Sequence, residues 1–211
     1  MMDARAFQHR LLQRLAGSQP DHHPGRARIG ARLDRGSDER LLALMPPESR
    51  AAAVLIGIQE QAGEPAILLT VRAGHLRKHA GQIAFPGGAI DAEDGNPAEA
   101  ALREAREEVG LRASQARVAG FLPDQVVLTG FRITPVVALI EPQFTPSPDQ
   151  TEVQEAFMLP LAALLDVRNH VHGRRRIGGE EFEVRDLAFG SHLIWGATAG
   201  MLFSLYELGN K

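Results

Sequence analysis

A chain of 211 residues, 44% hydrophobic and 23% charged, is long enough for one domain, residues 1–211, with elaborations and a substantial core. A formal net charge of -3 argues against a generic binder of nucleic acid or acidic membrane, and the absence of cysteine removes disulfides, thiol nucleophiles and zinc-thiolate sites. Residues 1–17 lack an apolar core of signal-peptide length and nothing approaches the roughly 20 apolar residues of a membrane span, so a cytoplasmic protein is expected.

In chain order, Phe7, Leu11, Leu12 and Leu15 follow helical spacing and predict an amphipathic helix over residues 4–16. An Arg-, His- and Gly-rich stretch from Gln19 to Arg35 reads as a long surface loop; together they form an N-terminal extension over residues 1–45. The apolar runs 51–58 and 66–72, separated by a Gly-Glu-Pro turn, predict a hairpin of core strands. From Ala73 to Ala84 the chain is polar and basic, then reaches Phe85-Pro86-Gly87-Gly88, where glycines let backbone approach an ion or phosphate closely.

The segment Pro97 to Val109 has Asn96 as N-cap, proline at the first helical position, Glu99 completing a capping box and Gly110 as the stop. Ala98, Ala101, Leu102, Ala105 and Val109 form its apolar stripe. Glu104, Glu107 and Glu108 converge on another side at i, i+3 and i+4, with Arg103 next to Glu107. Like charges at this spacing cost about 0.2–0.5 kcal/mol per pair, and the helix dipole disfavours anions in the last turn. A divalent cation reverses both penalties, and an all-oxygen donor set suits Mg²⁺ or Mn²⁺.

Further strands are expected at 117–122 and 133–140, with Pro135 favouring an edge or bulge. A Pro-rich loop follows at 141–150, then a strand at 152–160, a short helix at 161–165 and a closing helix at 195–208. Arg174-Arg175-Arg176 reads as a solvated turn between glycines or as a reach towards a distant phosphate, and Trp195 and Tyr206 as packing anchors of the last helix. Strands before and after one central helix favour an α/β sandwich over a regular βαβ array.

The run Arg103-Glu-x-x-Glu107-Glu108-x-Gly110, preceded by Gly88, resembles the Nudix box, the catalytic loop-helix-loop of hydrolases of nucleoside-diphosphate-linked compounds, here spanning residues 88–111. The match departs at one place. Asp94 stands where the family has a supporting glutamate, and the following spacer is one residue longer. Upstream, Leu68-Leu69-Thr70-Val71-Arg72-Ala73, Arg77, Gly81 and Phe85-Pro86-Gly87-Gly88 resemble the motif of the coenzyme A pyrophosphatase branch, which also tolerates the longer loop.

The resemblance implies a Nudix-type α/β/α sandwich with a mixed central sheet. It makes Glu104, Glu107 and Glu108 metal ligands, joined by the Gly88 carbonyl, with Arg103 orienting the acids and Glu152 completing the site or acting as base. Arg72, Arg77, Lys78, Gly81 and Phe85 become the substrate-binding set, with the cations among them suited to phosphate oxygens. The implied reaction is Mg²⁺- or Mn²⁺-dependent cleavage of coenzyme A or its acyl derivatives to 3',5'-ADP and (acyl-)4'-phosphopantetheine. Related proteins are often dimers, so a homodimer acting on a small molecule, without nucleic acid or membrane, is expected. Other nucleoside di- or triphosphate derivatives remain as alternative substrates. An inactive Nudix-fold ligand sensor is a further alternative, although such proteins commonly lose the helix glutamates that this chain keeps.

Overall fold

The computed structural model describes residues 3–21, 28–29, 44–46, 48–76 and 79–210. Helix α1 covers Ala4–Leu15, capped by the Asp3 side chain on the N–H groups of Arg5 and Ala6. The strands that follow are β1 (Arg28–Ile29), β2 (Arg50–Gln61), β3 (Glu64–Arg72), β4 (Ile83–Ala84) and β5 (Gly87–Ala89), and then comes helix α2, Pro97–Val109. Next are β6 (Ala116–Phe121), β7 (Gln125–Val127), β8 (Phe131–Ile140), β9 (Val153–Pro160) and helix α3 (Leu161–Leu165). The chain closes with β10 (His170–Ile177), β11 (Glu180–Phe189), β12 (His192–Ile194) and helix α4 (Gly196–Asn210). Most of the expected stretch 19–35 lies outside the described residues, although Arg28 and Ile29 pair in parallel with Gln125 and Val126.

Strands β1 to β9 form one mixed sheet whose centre is the parallel pair β2 and β8, running from Arg50 opposite Phe131 to Gln59 opposite Ile140. Hydrophobic burial on both faces accounts for the long apolar runs in these two strands. On one face Ile56, Ile58, Ile67 and Val137 meet Phe7, Leu11 and Leu15 of α1, and Leu202, Phe203 and Leu205 of α4. On the other, Leu55, Leu68, Val136 and Ala138 meet Ala101, Ala105 and Val109 of α2. The result is an α/β/α sandwich in which α2 is the helix, among the described residues, that covers this face, standing over the sheet centre with Leu111 and Phe144 packed beside it.

Pro135 is neither on an edge nor at a bulge. Strand β8 pairs with β2 along one side, and on the other with β6 above and β7 below. The proline stands at the junction between those two partners, where its carbonyl accepts Leu122 N–H and its missing N–H leaves that pair with a single bond, as β6 ends. Residues 170–194 form a separate antiparallel sheet, β10-β11-β12, that sequence patterning did not indicate. Arg174, Arg175 and Arg176 therefore lie within a strand, paired with Glu183, Phe182 and Glu181.

Candidate active site

Helix α2 is held at both ends. Asn96 accepts the N–H groups of Ala98 and Glu99, while the Glu99 carboxylate accepts Gly95 N–H and the Asn96 amide. Gly110 adopts φ 74°, a left-handed conformation that ends the helix as expected for glycine. The Pro-rich loop then closes over this end, with Ser147 N–H donating to the Val109 carbonyl and Asp149 N–H to that of Glu108. Buried Gln59 anchors the loop by donating to the carbonyls of Glu141, Pro142 and Phe144. The loop thereby delivers Glu152, whose N–H binds the Asp149 carbonyl and whose carbonyl accepts Ala73 N–H, to the start of β9.

The buried stripe of α2 differs from the expected one in two residues that matter. Ala100 is fully buried while Ala98 and Leu102 are half-buried, and Glu108 joins the stripe at 3% exposure. The three acids are thus graded rather than alike, with side chains 49% exposed at Glu107, 17% at Glu104 and 4% at Glu108. Burial pushes the Glu108 carboxyl up to about 8, reinforced by Glu104 and Glu152, against the opposing pull of Arg72 and the Gly87 backbone. Burial also raises Glu104, with Arg103 pulling the other way.

Arg103 organises the exposed side of the cluster. Its guanidinium donates to both Asp94 oxygens at 3.1 and 2.8 Å, to Glu104 at 2.9 Å, to Glu107 at 3.3 Å and to the Ala89 carbonyl at 3.1 Å. Asp94 also accepts Asp91 N–H, and the Asp91 carboxylate itself lies 3.4 Å from the Arg103 guanidinium, so the lengthened loop folds back on the helix through both. The position that departs from the family pattern anchors the arginine that orients two helix acids.

Arg72 covers the buried side. At the end of β3, the register against β9 shifts between Val71, opposite Glu155, and Arg72, opposite Val153. Such a bulge re-aims the strand. Here Arg72 Nη1 lies 3.7 Å from Glu108 Oε1, beyond a strong hydrogen bond but within electrostatic reach. Arg72 Nε and Glu108 Oε2 are both buried without a hydrogen-bond partner.

The glycine pair contributes through close approach. An added Cβ at Gly88 would overlap the Glu104 carboxylate, and one at Gly87 would overlap the backbone of Ala53 and Val54. In β5 the bonds from Leu55 N–H to Pro86 O and from Ile90 N–H to Ala51 O bracket the pair Ala53 and Gly88. Alternation in an antiparallel ladder then turns the Gly88 carbonyl towards β2. Gly87 faces the other way, as its backbone contact with Glu108 requires. Gly87 thus turns its N–H towards Glu108, while Gly88 supplies the space for Glu104.

The remaining predicted residues separate. Phe85 is 2% exposed within the core and also lines the neighbouring cleft. Gly81, with φ 71° and its N–H on the Arg72 carbonyl, turns the chain instead of lining the cleft. Arg77 and Lys78 lie outside the described residues. Trp195 is 38% exposed, so it is not a buried packing anchor; it stands at a cleft of about 450 Å³ with Arg175 over its ring at 5.0 Å. Sequence reasoning missed Gln82 and read Trp195 only as a packing anchor, because only the folded loop and the second sheet bring them to the cleft.

Among the described residues, no group of His, Asp and Glu side chains forms a ready-made metal cage. The guanidinium groups of Arg103 and Arg72 instead hold the acids. The donor set nevertheless fits a hard divalent cation: oxygen-rich, cysteine-free, and containing a buried carboxylate oxygen with no partner.

A sandwich that sets a glycine-rich strand against an acidic helix end, with a cleft alongside, is the architecture of a loop-helix-loop hydrolase. The chain belongs to the Nudix family, since the NUDIX domain model matches residues 48–177. It is similar to a protein of Escherichia coli O7:K1 named "Uncharacterized Nudix hydrolase NudL", at 44% identity over 164 residues, 77% of this chain and 84% of that one. A Shigella flexneri serotype 5b protein of the same name is 43% identical over 168 residues, 79% and 86% of the two chains. A crystal structure of a Nudix hydrolase from M. smegmatis, RenU, is similar over 54% of this chain and 71% of that one, at 28% identity and a TM-score of 0.46. The protein is thus a Nudix hydrolase, and hydrolases of this family generally use divalent metal ions. No helix among the described residues is long and apolar enough to cross a membrane.

Proposed function

We propose that the protein hydrolyses the diphosphate bond of coenzyme A and its acyl derivatives, releasing 3',5'-ADP and 4'-phosphopantetheine or its acyl form. The observation that carries this reading is the gathering of Glu104, Glu107 and Glu108 beside Gly87 and Gly88, with Arg72 of the upstream motif against Glu108. Glu104, Glu107 and Glu108, with a main-chain carbonyl of the Gly87-Gly88 pair, are the groups that would hold Mg²⁺ or Mn²⁺. Such a cation neutralises diphosphate charge and acidifies a bound water.

The chain's own groups supply the rest. Arg72 is placed to bind a phosphoryl oxygen, its guanidinium having a buried Nε without a partner. Arg103 keeps Glu104 and Glu107 in position. As water adds to phosphorus and the P–O bond of the anhydride breaks, Glu104 or Glu152 takes the water's proton. The setting this reading implies is a cytoplasmic homodimer acting on a small molecule.

The test is a substrate panel with Mg²⁺ or Mn²⁺, comparing kcat/KM for coenzyme A, acyl-coenzyme A, ADP-ribose and nucleoside triphosphates. The reading predicts 3',5'-ADP as the product and the coenzyme A compounds as the best substrates. Cleavage of other nucleotides with coenzyme A left intact contradicts it.

A further inference from the structure

The cleft beside the carboxylates shares Arg72, Gly87 and Gly88 with them and runs on between the main sheet and the β10-β11-β12 sheet. Most polar side chains on its walls are engaged within the protein. Arg175 makes a two-bond pair with Asp186 at 2.9 and 2.7 Å, and Arg185 lies 3.9 Å over the Phe203 ring and 3.8 Å from Glu207. The Thr198 hydroxyl donates to the Ile83 carbonyl at 2.9 Å. Arg72, 3.7 Å from Glu108, keeps its Nε for a phosphoryl oxygen. Gln82 is different in kind: a neutral side chain whose Oε1 is bonded to His79 and whose Nε2 has no partner among the described residues.

His79 fixes that amide at the expense of its own backbone. It takes φ 59°, a left-handed conformation that glycine adopts freely and that is unfavourable for a residue with a Cβ. Strain of this kind persists where the placement of a side chain matters. Here it brings Nδ1 to 2.8 Å from Gln82 Oε1, while Gln82 N–H closes the turn on the His79 carbonyl at 3.1 Å. With Nδ1–H donating to Oε1, the amide is held against rotation and Nε2 is left as its free donor. The turn is also joined to Arg72, whose N–H donates to the Gln82 carbonyl at 2.9 Å and whose carbonyl accepts Gly81 N–H at 3.0 Å. A neutral donor is thereby fixed beside the guanidinium, on the wall of the cleft.

We propose that Gln82 is a specificity-determining residue, its amide donating to the first amide carbonyl of the pantetheine arm while Arg72 holds the adjoining phosphate, with His79 as the positioning residue. This rests on the coenzyme A reading above. A neutral donor suits a neutral acceptor, and beside Arg72 a phosphoryl oxygen already has a stronger, charged partner. In coenzyme A that carbonyl lies a few bonds from the phosphate, with a dimethyl-substituted carbon between them. Ile83, Ala84 and Phe85, which follow Gln82 in the chain, line the same cleft and suit this apolar carbon. A nucleotide sugar has a hydroxylated ring in its place and no amide.

The experiment measures kcat and KM with Mg²⁺, and Kd in chelator, for coenzyme A and ADP-ribose with the full-length wild type, Gln82→Leu, His79→Gly and His79→Asn. Gln82→Leu should raise KM and Kd for coenzyme A about three- to tenfold relative to those for ADP-ribose, with the loss in KM rather than kcat. Glycine suits the His79 backbone and lacks the imidazole, so His79→Gly should match Gln82→Leu in KM while melting no lower than the wild type. Asparagine tolerates the left-handed conformation and carries an amide nitrogen near the place of Nδ1, so His79→Asn should keep the wild-type KM. Equal losses for coenzyme A and ADP-ribose, or a His79→Gly protein with the wild-type KM, overturn the inference even when coenzyme A is hydrolysed. Coenzyme A binding that Gln82→Leu weakens selectively, without hydrolysis, upholds the donor and overturns the activity. Wild-type protein that does not bind coenzyme A overturns both.

Discussion

Glu108 carries a charge into surroundings that disfavour it. Its carboxyl is 3% exposed and raised to about 8, against roughly 4.3 for an unfolded glutamate. A folded value above the unfolded one means that the folded protein holds the proton more tightly. The stability this provides is complete below about pH 4 and is lost as pH rises through about 8. In chelator, the unfolding free energy of the wild type should therefore fall relative to Glu108→Gln between about pH 5 and pH 8.5. Urea unfolding across that range measures it, and parallel pH profiles would contradict the burial argument. Neither the burial nor the shift was legible in the sequence. Helical spacing placed Glu108 with Glu104 and Glu107, but only the sheet beneath α2 decides which of the three is covered.

Helix α2 is the element most fully encoded locally. Asn96, Pro97, Glu99 and Gly110 set its bounds through interactions a few residues long, and the structure shows the same span, Pro97–Val109. Strands β4, β5, β7 and β12 carry no comparable signal because two or three residues cannot show alternation. Strand β10 was obscured by its arginines, whose partners Glu183 and Asp186 come from β11. At this scale Asp94 is the informative residue. Asp94→Asn should loosen Arg103 and lower kcat about tenfold with little change in KM, while Asp94→Glu restores much of the rate. A KM effect alone would make Asp94 a substrate contact instead. Gly88→Ala, whose methyl group overlaps the Glu104 carboxylate, should lower kcat further without unfolding the protein, as circular dichroism would verify.

For the whole molecule, the sandwich separates stability from chemistry by face. Phe7, Leu11 and Leu15 of α1 pack with α4 on the face away from α2. Phe7 is fully buried and so close to Gly209 that a Cβ there would overlap its ring. Phe7→Ala should cost about 3–5 kcal/mol and lower Tm by roughly 6–20 °C, while kcat below the transition stays near the wild-type value. Thermal unfolding with parallel rate measurements checks this, and a proportionate fall in kcat would show that the two faces are coupled. The overall architecture was legible because β2, β3 and β8 are long apolar runs around a well-capped helix. The second sheet, and with it the far wall of the cleft, depends on pairing between segments of mixed polarity.

These scales meet at the α2 acids, proposed to hold the cation and cleave the diphosphate. The most direct test is Mg²⁺-dependent release of 3',5'-ADP from coenzyme A by wild-type protein and Glu108→Gln side by side, with folding verified for both. The prediction is steady release by the wild type and a kcat lower by about 100-fold or more in the variant. Equal rates in the two proteins would contradict the assignment of the site.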